Sequence, residues 1–110
     1  MKNTKNKKSK IIPINEEVNG EFEVIDNCLI IKLREDLDHH NSLPIREQAD
    51  KLIMSRNIKY IIFDFSGTDF MDSSGIGVIM GRYKKVIFIG GKVGVTGIRK
   101  NIDRIFKISG

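Results

Sequence analysis

A chain of 110 residues has room for one small domain with one hydrophobic core, which excludes a multidomain machine. Hydrophobic residues make up 40% and charged residues 30%, the balance of an ordinary soluble globular protein. The net charge of +5 suggests nucleic acid only until it is located: MKNTKNKKSK, residues 1–10, holds five lysines and no acid, and the remaining Lys and Arg match the Asp and Glu in number.

The pattern therefore predicts a basic, solvated and disordered tail over residues 1–20, with a folded domain over 21–110. Only IIPI follows the charges, too short for the apolar core of a secretory signal. The longest uncharged run, Ser73 to Gly81, falls far short of a membrane span. The single cysteine, Cys28, has no partner for an intramolecular disulfide and is expected as a buried structural thiol. A cytoplasmic protein that binds neither membrane nor nucleic acid directly is the expectation.

In chain order, EFEVI (21–25) and CLIIKL (28–33) read as strands, and Asp26-Asn27 supplies the turn of a hairpin. A polar stretch, REDLDHHNSLP, leads to a helix with Ser42 as N-cap and Pro44 in the first turn. Leu43, Ile45, Ala49, Leu52 and Ile53 trace its apolar face to about Ser55. YIIFDF (60–65) reads as a strand covered on both faces. After the loop SGTDFMD, a helix begins near Ser74 with Ile76, Ile79, Met80, Tyr83 and Val86 on one face. Its glycines, Gly77 and Gly81, are unfavourable inside a helix and suggest close approach to the sheet. Gly90-Gly91 makes a turn and KVGVT (92–96) a strand. Ile98, Ile102, Ile105 and Phe106 mark a last helix, with Gly110 at its C-cap. The order β-β-α-β-α-β-α implies an α/β layer structure with a mixed, mostly parallel sheet.

The stretch FMDSSGIGVIMGRYKK, residues 70–85, concentrates the candidate chemistry. Its glycines do not open a helix directly after a strand, and no acid follows about twenty residues on, so a dinucleotide fingerprint fits poorly. Gly-Lys-Ser/Thr is absent, which excludes a P-loop. Met71 and Asp72 precede the serines where a nucleophile elbow needs glycine, and of His39 and His40 at most one could reach as a base. No catalytic residue, cofactor or metal site is expected, and the two histidines read as solvent-exposed loop residues. What remains is a serine at a helix N-terminus, where unpaired N–H groups favour a nearby anion. The residues alone leave open whether Asp72 or Ser73 simply caps the helix, whether a nucleotide or other small anion binds there, or whether a serine is modified.

FMDSSGIGVIMGRYKK, with LDHH at 37–40 and IFKISG at 105–110, resembles the STAS domain of bacterial anti-sigma factor antagonists. The likeness runs from about Glu21 to Gly110 and is greatest to those acting on the anti-sigma F kinase during sporulation. The resemblance implies a small partner switch without enzyme activity. In the unphosphorylated form it would bind an anti-sigma factor serine kinase and release a sigma factor. Phosphorylation on Ser73 would end binding, and a PP2C-type serine phosphatase would restore it. The resemblance also implies partner contact through Asp38, Asp72, Ser73, Ser74 and Gly75. Family members usually carry glycine where Glu35 stands, lack the lysine tail, and continue past the equivalent of Gly110 with a further strand and helix absent here.

Overall fold

The computed structural model describes residues 9–12 and 20–109. Five strands form one sheet in sequence order: β1 (Ser9–Ile12), β2 (Gly20–Ile25), β3 (Cys28–Leu33), β4 (Tyr60–Asp64) and β5 (Lys92–Thr96). The first two junctions are antiparallel and the last two parallel. Helices α1 (Ser42–Ser55) and α2 (Ser73–Ile87) connect the parallel strands, and α3 (Lys100–Ser109) follows β5. The predicted alternation is present, with one strand more. Ser9–Ile12, assigned above to the tail, pairs with β2 in the register Ser9↔Ile25 to Ile12↔Phe22. A β2 edge with free N–H and C=O groups favours such pairing over a solvated tail. The rest of the basic segment, and Gly110, lie outside the described residues.

Alternation along the strands builds the core. Phe22, Ile31 and Phe63 form one cross-strand row, and Val24, Leu29 and Ile61 a second, both buried. Their neighbours Glu23, Ile30, Lys32, Ile62 and Asp64 belong to the opposite face and are half-buried or exposed. YIIFD is thus covered on one face, not on both. Ile45, Ala49 and Leu52 of α1, Val78, Ile79 and Val86 of α2 and Ile102 of α3 close the core, and Phe106 meets Phe65 edge-on. The hairpin turn carries Asp26 at φ 53, and its Asn27 carbonyl accepts the N–H groups of Lys59 and Tyr60, tying the turn to the start of β4. Cys28 is only half-buried, and burial raises its thiol pKa.

The second helix buries Ile79 and Val86, as its apolar spacing suggests, but turns Val78 and Arg82 inwards in place of Met80 and Tyr83. Met80 is 46% exposed, whereas Arg82 is 5% exposed. Arg82 Nε lies 3.0 Å from Asp50 Oδ1 of α1, so an ion pair sits between the two helices. Desolvation pulls the Arg82 pKa below its ordinary value, Asp50 opposes that shift, and nearby Arg46 adds to it.

The glycines also divide differently. A Cβ on Gly77 or Gly81 would meet nothing within 4 Å, so neither serves close packing. Gly75 does: its Cβ would lie 2.3 Å from Met71 Cγ and 2.8 Å from the Leu37 carbonyl oxygen. Gly77→Ala is therefore expected to stabilise by up to about 1 kcal/mol. Gly75→Ala is expected to destabilise by about 1–3 kcal/mol through overpacking. Urea denaturation of the two variants checks the opposite signs.

Candidate functional site: the loops around the start of the second helix

The loops leaving β3 and β4 lie side by side at the carboxyl ends of the parallel strands, the usual place for recognition in an open α/β sheet. Backbone contacts lace them together. Leu37 N–H donates to the Phe70 carbonyl at 3.1 Å and Asp72 N–H to the Leu37 carbonyl at 3.3 Å, forming an isolated parallel bridge between Leu37 and Met71. Thr68, fully buried, donates its hydroxyl to the Glu35 carbonyl at 3.0 Å. Arg99, after β5, donates to the Ser66 carbonyl at 2.7 Å and pairs with Asp69.

On this frame the start of α2 is set by Asp72. Its extended backbone, φ −108 and ψ −170, makes it the N-cap, and its Oδ1 accepts the Ser74 N–H at 2.8 Å. Oδ2 accepts the His39 N–H at 3.2 Å and lies 3.3 Å from His39 Nδ1. Desolvation alone would raise the Asp72 pKa. The hydrogen bonds from the His39 ring and from the N–H groups of Ser74, His39 and Gly75 together outweigh it and hold the pKa below the usual carboxylate range. Because the folded pKa is depressed, the cap's contribution is complete above the unfolded pKa and is lost as pH falls through the folded one. Asp72→Ala is expected to cost about 1 kcal/mol at neutral pH. The difference from wild type should shrink below about pH 4, as read by thermal melts across acid pH.

The site residues named from the sequence fall into three groups. Ser73 is exposed at the first position of α2, and Ser74 is half-buried beside it. Asp38 is half-buried and shapes the approach to α1: its Oδ1 accepts the N–H of His40 at 2.9 Å and of Asn41 at 3.2 Å, and its carbonyl accepts the Ser42 N–H at 2.9 Å. Ser42 is thus the first helical residue of α1 rather than its cap, and Asn41 holds the N-cap position without a side-chain capping bond. Gly75 is buried under the site, where it lets Met71 and Leu37 come close.

Two contributors were absent from the sequence-based list. His39 is exposed as expected but also contacts Asp72, and Thr68 rivets the two loops. Both act across 33 residues, a separation at which local patterning carries no signal. Chemically, the site presents a free hydroxyl beside carboxylates whose oxygens are already engaged by backbone N–H groups.

Residues 19–110 match the STAS domain family. The anti-sigma F factor antagonist of Paenibacillus polymyxa is 39% identical over 90 residues, covering 82% of this chain and 77% of that protein. The fold is similar to that of the anti-sigma factor antagonist SpoIIAA in its unphosphorylated form, with a TM-score of 0.66 and 23% identity, covering 91% of this chain and 82% of that one. The Bacillus cell fate determinant SpoIIAA in the phosphorylated form gives a TM-score of 0.65 at 24% identity, covering 93% and 83%. A family match across nearly all of the folded chain, joined to a relative this similar over most of its own length, has one consequence: the chain belongs to the STAS-domain anti-sigma factor antagonists.

Proposed function

We propose that the unphosphorylated protein binds an anti-sigma factor serine kinase through the 37–41 loop and the start of α2, displacing the sigma factor that the kinase holds. Phosphorylation of Ser73 ends the contact, and a PP2C-type phosphatase restores it. The protein acts by binding and catalyses nothing itself. The switch operates in the cytoplasm during sporulation. The observation that carries this reading is the exposed Ser73 at the first position of a helix whose neighbouring cap, Asp72, is fixed by bonds from His39 of the preceding loop and from Ser74 of the helix itself. SpoIIAA, similar in fold, is described in both unphosphorylated and phosphorylated forms.

In the transfer step the Ser73 hydroxyl oxygen takes the γ-phosphoryl group of ATP bound to the kinase. The bond between that phosphorus and the β–γ bridging oxygen breaks, ADP leaves, and the hydroxyl proton passes to a base of the kinase. The product carries about −1.5 to −2 charges at a helix end whose dipole favours anions, so the fold persists. Asp69 and Asp72 precede that charge in sequence, and a partner surface that fits hydroxyl and carboxylates then meets excess negative charge and bulk.

Binding of a free nucleotide or small anion at the same helix end is the weaker reading, because the Asp72 carboxylate already accepts from the Ser74 and His39 N–H groups there. Incubation with the cognate anti-sigma F factor and ATP, followed by mass spectrometry, tests the proposal. The expected result is one added phosphate on Ser73 and none on Ser73→Ala. Phosphate on another residue, or none on the wild type, would contradict it.

A further inference from the structure

Beside Ser73 a groove of about 290 Å³ runs between the first turns of the two helices, lined by Ser42, Leu43 and Arg46 of α1 and Ser74, Gly77 and Val78 of α2. Among the described residues Arg46 is the only charged one lining it. Its guanidinium is exposed and makes no ion pair or hydrogen bond among the described residues. Asp50, one turn further along α1, is the natural intrahelical partner for Arg46 but is held by Arg82. On the other wall Gly77 is exposed, and a Cβ there would touch nothing. Helix stability favours any ordinary residue over glycine at such a position, so packing within this chain does not explain its presence. Its effect is to keep the groove open. Leu43, 48% exposed, adds an apolar rim.

We infer that this groove is a docking notch for an acidic side chain of the anti-sigma kinase, with Arg46 pairing its carboxylate and Gly77 leaving room for its stem. The inference rests on the proposed function and assigns part of the same interface. Charge decides the occupant: an otherwise neutral groove with a single guanidinium complements a carboxylate, and a planar five-donor fork binds one bidentately. Leu43 covers the aliphatic part of that side chain. Ser74 lines the groove and Ser73 adjoins it, so a phosphate on Ser73 repels the carboxylate that Arg46 attracts. The notch and the switch act on the same partner group.

The test is a calorimetric titration of the cognate anti-sigma F factor with wild type, Arg46→Glu, Arg46→Lys, Gly77→Leu and, as a control on the underlying reading, Ser73→Asp. Arg46→Glu is expected to weaken binding by about tenfold or more, and Arg46→Lys by less, because a point charge keeps attraction but loses the fork. Gly77→Leu is expected to melt at the same or a higher temperature while also binding about tenfold more weakly. Wild-type affinity in both Arg46→Glu and Gly77→Leu, with Ser73→Asp weakened, overturns the notch and leaves the proposed function standing. Absence of binding by the wild type itself overturns both.

Discussion

Ser73→Asp should raise stability while lowering affinity, and Ser73→Ala should leave both nearly unchanged. Ser73 is exposed, so alanine is expected to change folding stability by less than about 0.5 kcal/mol and to leave the protein permanently competent to bind. Aspartate places a charge at the first position of α2, where the helix dipole should stabilise the fold by about 0.3–1 kcal/mol. The same charge sits next to Asp72 on the proposed binding face and should weaken the kinase complex by about 1–2 kcal/mol. Phosphate, carrying nearly twice the charge and more bulk, should weaken it by about 3 kcal/mol or more, beyond a hundredfold. Thermal melts and calorimetric titrations on the same samples read both quantities. Parallel loss of stability and affinity would mean that modification acts by unfolding.

The largest expected effect on stability lies between α1 and α2. Asp50→Ala should lower the unfolding free energy by about 2–4 kcal/mol, because it strands a guanidinium whose side chain is 6% exposed. Arg82 Nη1 is already buried without a hydrogen-bond partner, so removing the neighbouring carboxylate leaves little to offset its desolvation. Arg82→Met should be much milder, under about 1 kcal/mol. Methionine keeps most of the buried volume, and Asp50, 29% exposed, can turn to water once its partner is gone. Urea denaturation of both single variants and the double variant gives the coupling energy. A double variant no worse than Arg82→Met would show that the penalty of Asp50→Ala is the stranded charge. Because Ser74, Gly77 and Val78 lie on the same helix as Arg82, loosening this pair should also weaken kinase binding.

The contrast between these positions shows what local patterning carries. The hairpin around Asp26-Asn27, the strand 92–96 and the end of α1 near Ser55 are legible because turn chemistry and hydrophobic periodicity act over a few residues. Asp72, Ser73 and Ser74 are legible as a helix start for the same reason. The buried face of α2 is legible only in part, through Ile79 and Val86. Apolar spacing selects Met80 and Tyr83, whereas Arg82 is drawn inwards by an acid 32 positions away. Gly75 and Gly77 are indistinguishable by residue type, and only the neighbouring Leu37–Met71 bridge makes one indispensable and the other open. Strand β1 was hidden for a related reason. The lysine run that leads into it marks a solvated tail by composition, while the edge of β2 supplies a partner that composition does not register.

The proposed switch has partner and phosphate compete for one face made of the 37–41 loop and the start of α2. Amide chemical shifts of the labelled protein, recorded free, with Ser73 phosphorylated and with the anti-sigma F factor bound, test it most directly. The proposed switch predicts that phosphorylation perturbs amides near residues 37–42 and 70–78 and leaves the strand amides in place. It also predicts that the bound kinase perturbs the same set and that the phosphorylated protein shows no further change on adding kinase. Shifts spread through β2 to β5 on phosphorylation, or kinase-induced changes centred on the open face of the sheet, would contradict it.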